Sequence, residues 1–124
     1  MGVRHLYTLY MSTCSDTQVN AAELLDASSV TALAETFRIL GDATRVRILD
    51  ALSRTELCVG DLATLIGLSE SAVSHQLRVL RGSRLVRPRR AGQMIFYSLD
   101  DQHIVRLFAQ GLEHVQERAQ GGRA

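Results

Sequence analysis

ELCVGDLATLIGLSESAVSHQLRVLRGSRLV, residues 56–86, is the stretch that decides the fold. DLATLIG reads as a short helix stopped by Gly67. Ser69 reads as the N-cap of a longer one, ESAVSHQLRVLRG, with Glu70 in the first turn, where negative charge suits the helix dipole. Two helices joined by about three residues that include Gly form a helix-turn-helix. Ala63 is small where the helices cross, Gly67 supplies a positive φ, and Val73 packs the second helix on the first. A plain helical hairpin would share this pattern; the charge that follows separates the two. Arg78, Arg81, Arg84, Arg87, Arg89 and Arg90 fall within thirteen residues that contain no acid, in a chain with no Lys and a net charge of +1. A block this local is a nucleic-acid footprint that the overall charge conceals.

After the second helix comes LVRPRRAGQMIFYSLD. Leu85–Arg90 and Gln93–Leu99 read as strands about a turn at Ala91-Gly92, and Pro88, the only Pro, suits an edge strand. A hairpin placed here is a wing, whose Arg87, Arg89 and Arg90 would reach phosphates or the minor groove. On the second helix, Ser71, Ser74, His75, Gln76 and Arg78 are the candidate DNA contacts, with the N-terminal part facing the major groove. Gln76 suits a bidentate pair with adenine, and Arg78 suits guanine or phosphate. Val73 and Leu77 are core.

Upstream, residues 1–20 are polar and aperiodic and read as a flexible arm. Residues 21–40 carry an apolar stripe of Val30, Leu33, Ala34, Phe37 and Leu40, with Ser28 or Ser29 as N-cap and Gly41 as the stop. Asp42 caps ATRVRILDALSR, whose stripe is Val46, Leu49 and Leu52 with Ile48 beside it. Both helices are expected to be core.

The last helix, Asp100–Arg118, carries Asp101, His103, His114 and Glu117, all potential metal ligands. His103 and His114 are eleven residues apart, close to three turns, so they share a face about 16 Å apart along the axis. Zn–N bonds of about 2 Å cannot span that. A second, antiparallel copy places His103 beside His114 of the partner, which points to a homodimer with two equivalent inter-subunit sites. Asp101 and His103 of one chain would join His114 and Glu117 of the other. Asp101 lies at the helix start, so it is the ligand most dependent on local backbone geometry. Two nitrogens and two carboxylate oxygens suit Zn²⁺; Co²⁺ fits as well, and Ni²⁺ or Cd²⁺ are further candidates. Histidines ligate as neutral imidazole, so affinity should fall in acid. No HExxH spacing suggests a catalytic zinc, and an enzyme is not expected.

The fold class that results is mainly α with a β-hairpin wing (α+β). It is a winged helix-turn-helix, forming a homodimer packed through terminal helices. Residues 1–20 are the arm, 21–119 the DNA-binding and dimerisation domain, and 120–124 a disordered tail. No apolar run reaches the roughly 18 residues of a membrane span. MGVRHLYTLYM does not read as a signal peptide, and Met11 is an alternative start. Two cysteines make no disulfide framework, which fits a cytoplasmic protein. Double-stranded DNA and a second copy are the expected partners, with no membrane and no small-molecule substrate.

ELCVGDLA at 56–63, SESAVSHQLRVLR at 69–81 and the D-x-H…H-x-x-E spacing of the last helix together resemble the ArsR/SmtB family of metal-sensing repressors, over about residues 29–118. The resemblance implies a dimeric winged helix-turn-helix repressor. Its apo form binds a palindromic operator, and zinc or a similar ion at the terminal-helix site releases it. It also implies a possible second metal site, where Cys58 and Asp61 match family positions and Cys14 on the arm is the third ligand. Gln18 stands where a His would match, and His5 is an alternative donor. Sensors of soft ions in this family often carry Cys-Val-Cys; here the motif is Cys58-Val59-Gly60. Other readings are a thiol sensor of arsenite, cadmium or oxidant through Cys14 and Cys58, a nickel or cobalt sensor, and a DNA-binding module whose last helix only dimerises.

Overall fold

The computed structural model describes residues 18–121. The chain divides into two compact units, one up to Ala34 and one from Glu35 onward. In the first, Asn20 and Glu23 close a capping box around a single 3₁₀ turn, Ala21–Glu23. Asn20 Oδ1 accepts from the Ala22 N–H, and Glu23 Oε1 accepts from the Asn20 N–H, both at 2.9 Å. Helix α1 then begins and runs Ala27–Leu40. Its cap is Asp26, not Ser28 or Ser29: Asp26 Oδ1 accepts from the Ser29 N–H at 2.8 Å. The serines sit inside the first turn, two and three residues past the cap position.

The second unit adds α2 (Ala43–Arg54), β1 (Leu57–Cys58), α3 (Val59–Ile66), α4 (Glu70–Gly82), β2 (Val86–Ala91), β3 (Met94–Leu99) and α5 (Gln102–Gly121). Local chemistry sets most boundaries. Asp42 accepts from the Arg45 N–H at 3.1 Å and starts α2. Gly67, at φ +82°, ends α3 and returns its N–H to the Ala63 carbonyl at 2.8 Å. Ser69 Oγ accepts from the Ala72 N–H at 3.1 Å and starts α4.

The end of α4 is less usual. The Leu85 N–H bonds the Leu80 carbonyl at 2.9 Å and the Arg84 N–H bonds the Arg81 carbonyl at 3.0 Å, the paired bonds of a Schellman motif. The left-handed position, normally Gly, is Arg84 at φ +57°. What holds it there is the burial of Leu80 and Leu85 together beneath the turn.

The core joins Ile48, Leu49 and Leu52 of α2 to Leu62, Ala63 and Ile66 of α3, and to Val73, Leu77 and Leu80 of α4. Leu85, Val86 and Leu99 seal it from the sheet side. Each such side chain removed from water contributes about 1.5–3 kcal/mol. Among the described residues no buried side-chain polar atom lacks a hydrogen bond.

The wing is a three-stranded antiparallel sheet in the order β1-β3-β2. Pro88 therefore lies on an outer strand, where its missing N–H costs no ladder bond. Ala91 pairs with Met94, so the turn is Gly92-Gln93, one residue later than the sequence reading. Gly92 at φ +63° supplies the positive φ that a primed hairpin turn needs at its first central position. Strand β1 was not anticipated: two residues are too few to show alternation.

Two further expectations change. The apolar residues Val30, Leu33, Phe37 and Val46 are not core: they are 50, 48, 53 and 41 % exposed. Ile39 is the buried residue of α1. Helix α5 runs Gln102–Gly121, where the sequence reading had Asp100–Arg118.

Candidate DNA-binding face and metal-ligand helix

Helix α4 presents Val73, Leu77 and Leu80 inward, and Ser71, His75 and Arg78 outward. Ser74 is half-buried at the flank. Arg78, Arg81 and Arg84 are exposed, continuing the basic line toward the wing. Gln76 departs from the expectation of an adenine reader. It is half-buried, and its Oε1 already accepts a hydrogen bond from Arg45 Nε at 2.9 Å.

The wing arginines are not equivalent. Arg89 Nε lies 3.1 Å from both carboxylate oxygens of Glu56, and its Nη2 lies 2.8 Å from Oε1. Its guanidinium also stacks on Phe96 at 5.2 Å. Register explains the clasp: Cys58, Phe96 and Arg89 pair across the three strands, so they and Glu56 share one sheet face. The Arg89 hydrogen bond holds the Glu56 carboxyl below its usual 4.5. Arg89 is thus turned back over the sheet, not held out as expected. Arg87 is exposed and acts on Glu56 only through space. Arg90 donates to the Gly92 carbonyl at 3.5 Å.

At the start of α5, Asp101 is the N-cap, with Oδ1 accepting from the Ile104 N–H at 3.1 Å. That bond holds its carboxyl below the usual 3.8. Capping with one oxygen leaves Oδ2 3.5 Å from His103 Nδ1. Asp101 and His103 are therefore brought together. His114 and Glu117, one turn apart on the same exposed helix, lie about three turns further on. No group of three or more His, Cys, Asp or Glu side chains forms within one chain among the described residues.

Cys58 closes β1 and precedes α3 without a side-chain capping bond, while Asp61 is exposed in the first turn of α3. Cys58 is thus the N-cap residue of the helix and Asp61 stands three residues on. Cys14 and His5 lie outside the described residues.

Beside α5 is an open apolar groove of about 320 Å³. Phe37 and Leu40 of α1 line it with Val46 and Leu49 of α2 and with Ile104, Phe108, Leu112 and Val115 of α5. No α5 residue is buried, although the helix is 20 residues long.

Against known proteins, residues 42–87 match the bacterial regulatory proteins of the arsR family. A transcriptional repressor, SmtB homolog, of Synechocystis sp. is 47% identical over 95 residues, covering 77% of this chain and 72% of that protein. The chain belongs to the arsR family.

Solved structures similar to the chain include the homodimeric winged helix-turn-helix DNA-binding domain of Mycobacterium bovis Mb0332, a possible ArsR-family transcriptional regulator. The TM-score is 0.75 at 28% identity, over 83% of this chain and 97% of that one. The AntR antimony-specific transcriptional repressor superposes with a TM-score of 0.71 at 34% identity, over 86% and 94%. Like its arsR-family relatives the chain is a transcriptional regulator with a winged helix-turn-helix fold, not an enzyme. None of its described helices is long and apolar enough to cross a membrane.

Two groups of this arsR-family chain escaped the sequence reading. Glu56 lies 33 residues from Arg89 in a stretch that reads only as a helix approach, and Arg45 lies 31 residues from Gln76. Nothing in the sequence singles out Glu56, because Asp61 and Glu70 lie nearer the arginine block.

Proposed function

We propose that this chain is a metal-responsive repressor that works as a homodimer. The apo dimer binds a palindromic operator through α4 and the wing. A divalent ion bound between subunits favours a dimer form that releases DNA. Asp101 and His103 of one subunit and His114 and Glu117 of its partner would hold the ion. Two imidazoles and two carboxylates fit Zn²⁺ best among the candidates, with Co²⁺ next. The ion would supply a cross-link between the two α5 helices.

The observation that carries this reading is the state of α5. A 20-residue helix with nothing buried borders an uncovered apolar groove and carries two donor pairs at opposite ends. A second copy of α5, running antiparallel, accounts for all three features. The Asp101 cap also supports the fit, because it leaves one carboxylate oxygen beside His103. The chain's relatives include a cadmium resistance regulatory protein, CadC homolog, and an antimony-specific repressor; metal responsiveness is carried over from them. The cell's cytoplasm is where such a repressor would act. Cys58 with Asp61 and Cys14 stays a separate proposed site, with no regulatory part assigned.

The test uses mixed dimers. His103→Ala and His114→Ala should each bind operator and each ignore zinc. Mixing the two should restore one complete site per mixed dimer, formed by Asp101 and His103 of the second variant with His114 and Glu117 of the first. Calorimetry should then find zinc uptake by the mixture and almost none by either variant alone. Uptake by each variant at the wild-type level would refute an inter-subunit site.

A further inference from the structure

We propose that Arg45 positions the recognition helix α4 through Gln76, and that Gln76 is a positioning residue and not a base reader. The inference rests on the DNA-binding reading above and deepens it.

Arg45 stands in the first turn of α2, anchored by its own N–H on Asp42 Oδ2 at 3.1 Å. Its guanidinium acts in two directions. Nε donates to Gln76 Oε1 at 2.9 Å, and Nη1 donates to the Ile39 carbonyl at 3.3 Å. That carbonyl is one of the last four of α1, which have no partner inside their helix. One planar fork thus ties the end of α1, the start of α2 and the middle of α4, and all three bonds are part-buried. Guanidinium donors leave in fixed directions, so such a pin specifies angle as well as distance.

The bond also orients the Gln76 amide. Arg45 Nε–H can only donate, so the amide oxygen must face it and the amide nitrogen faces away. Reading adenine would need the oxygen for the base's N6 donor and the nitrogen for N7, and the oxygen is committed. Helix geometry agrees. At about 100° per residue, Ser71, His75 and Arg78 fall on one exposed line, and Gln76 lies on the order of 130° from its centre. It sits on the shoulder, nearer the buried Val73, Leu77 and Leu80. Those apolar contacts are non-directional and tolerate a small rotation of α4 about its axis. The Arg45–Gln76 bond does not. It sets where Ser71, His75 and Arg78 aim in the groove.

The experiment compares wild type with Arg45→Met, Gln76→Met and the double variant. Binding is measured to a duplex selected by the wild type from a randomised pool, and to a scrambled duplex of the same composition. Each single variant should lower the selected-to-scrambled affinity ratio by about tenfold, the scale of one mismatched base pair. The double variant should lower it no further. Binding to scrambled DNA should hold within about threefold. Across single-base changes in the selected duplex, Gln76→Met should keep the wild-type rank order. Flattened preference at one base pair in Gln76→Met but not in Arg45→Met would make Gln76 a reader and overturn the proposal, as would additive losses. Gln76→Glu keeps an oxygen toward Arg45 and should keep the rank order; losing it would also overturn the proposal. A urea-unfolding cycle without DNA tests the pair itself. Coupling of about threefold or more in the unfolding constant supports it, and none refutes it. A wild type that selects no duplex would sink the repressor reading, and that cycle would still judge the pair.

Discussion

Replacing Arg87 and replacing Arg89 should have different effects on DNA binding, although both are wing arginines two residues apart. Each phosphate neutralised by a cation contributes about −0.9 to the slope of log affinity against log salt. In the proposed dimer each substitution acts twice, so loss of a contacting arginine should flatten the slope by about 1.8. Between 50 and 200 mM salt the logarithm of concentration changes by about 0.6. The advantage of wild type over Arg87→Ala should therefore shrink about twelvefold across that range. Arg89 donates three hydrogen-bond contacts to Glu56 and stacks on Phe96, so its charge is already matched. Arg89→Ala should leave the slope near the wild-type value. Glu56→Gln removes the opposing charge and frees the guanidinium, and should steepen the slope by up to about 1.8 while tightening binding at low salt. Fluorescence anisotropy with a labelled operator duplex at four or five salt concentrations reads all four proteins. Equal flattening by Arg87→Ala and Arg89→Ala, or an unchanged slope in Glu56→Gln, would refute the assignment of Arg89 to the sheet.

Other outcomes follow from features already described. Leu80, fully buried under the α4 turn, should cost about 2–5 kcal/mol as Leu80→Ala, read by urea unfolding at fixed protein concentration. Arg84→Gly should stabilise the fold by up to about 1 kcal/mol, because a left-handed residue with a Cβ is strained, while operator affinity falls if Arg84 contacts phosphate. The Glu56 carboxyl is held below its usual 4.5, first by the Arg89 hydrogen bond. A depressed folded pKa adds stability above pH 4.5 that is lost as pH falls through the lower folded value. An NMR titration should place the Glu56 midpoint below 4.5 in wild type and nearer 4.5 in Arg89→Met; equal midpoints would sink the clasp.

Where one residue's own chemistry determined a feature, the sequence was legible. Gly67 needed a positive φ, Ser69 and Asp42 needed only the next N–H groups, and Pro88 needed an edge. Apolar periodicity in α1 was read correctly as an apolar face, but periodicity does not say which chain covers it; Phe37 and Leu40 accordingly line an open groove. Two-residue β1 was too short to leave a pattern. The partners of Gln76 and Arg89 escaped the sequence reading for a shared reason: each is a polar side chain whose partner lies more than thirty residues away, and spacing rules see only neighbours. Asp101 was recognised as dependent on local backbone, and the cap to Ile104 is the geometry that sequence did not specify.

Helix α5, with no buried residue of its own, has a consequence for how sensitive such a switch is. A binding site completed by two chains involves three bodies, two protomers and an ion. Its apparent affinity therefore depends on how much protein a cell contains. Ion binding in turn strengthens the dimer by mass action, by RT ln(1 + [L]/Kd). At low abundance more of the proposed dimer would dissociate, and more metal would be needed to fill each site. On the proposed reading, the metal level at which the operator opens would be set jointly by the four candidate ligands and by the rate at which the repressor's own gene is expressed.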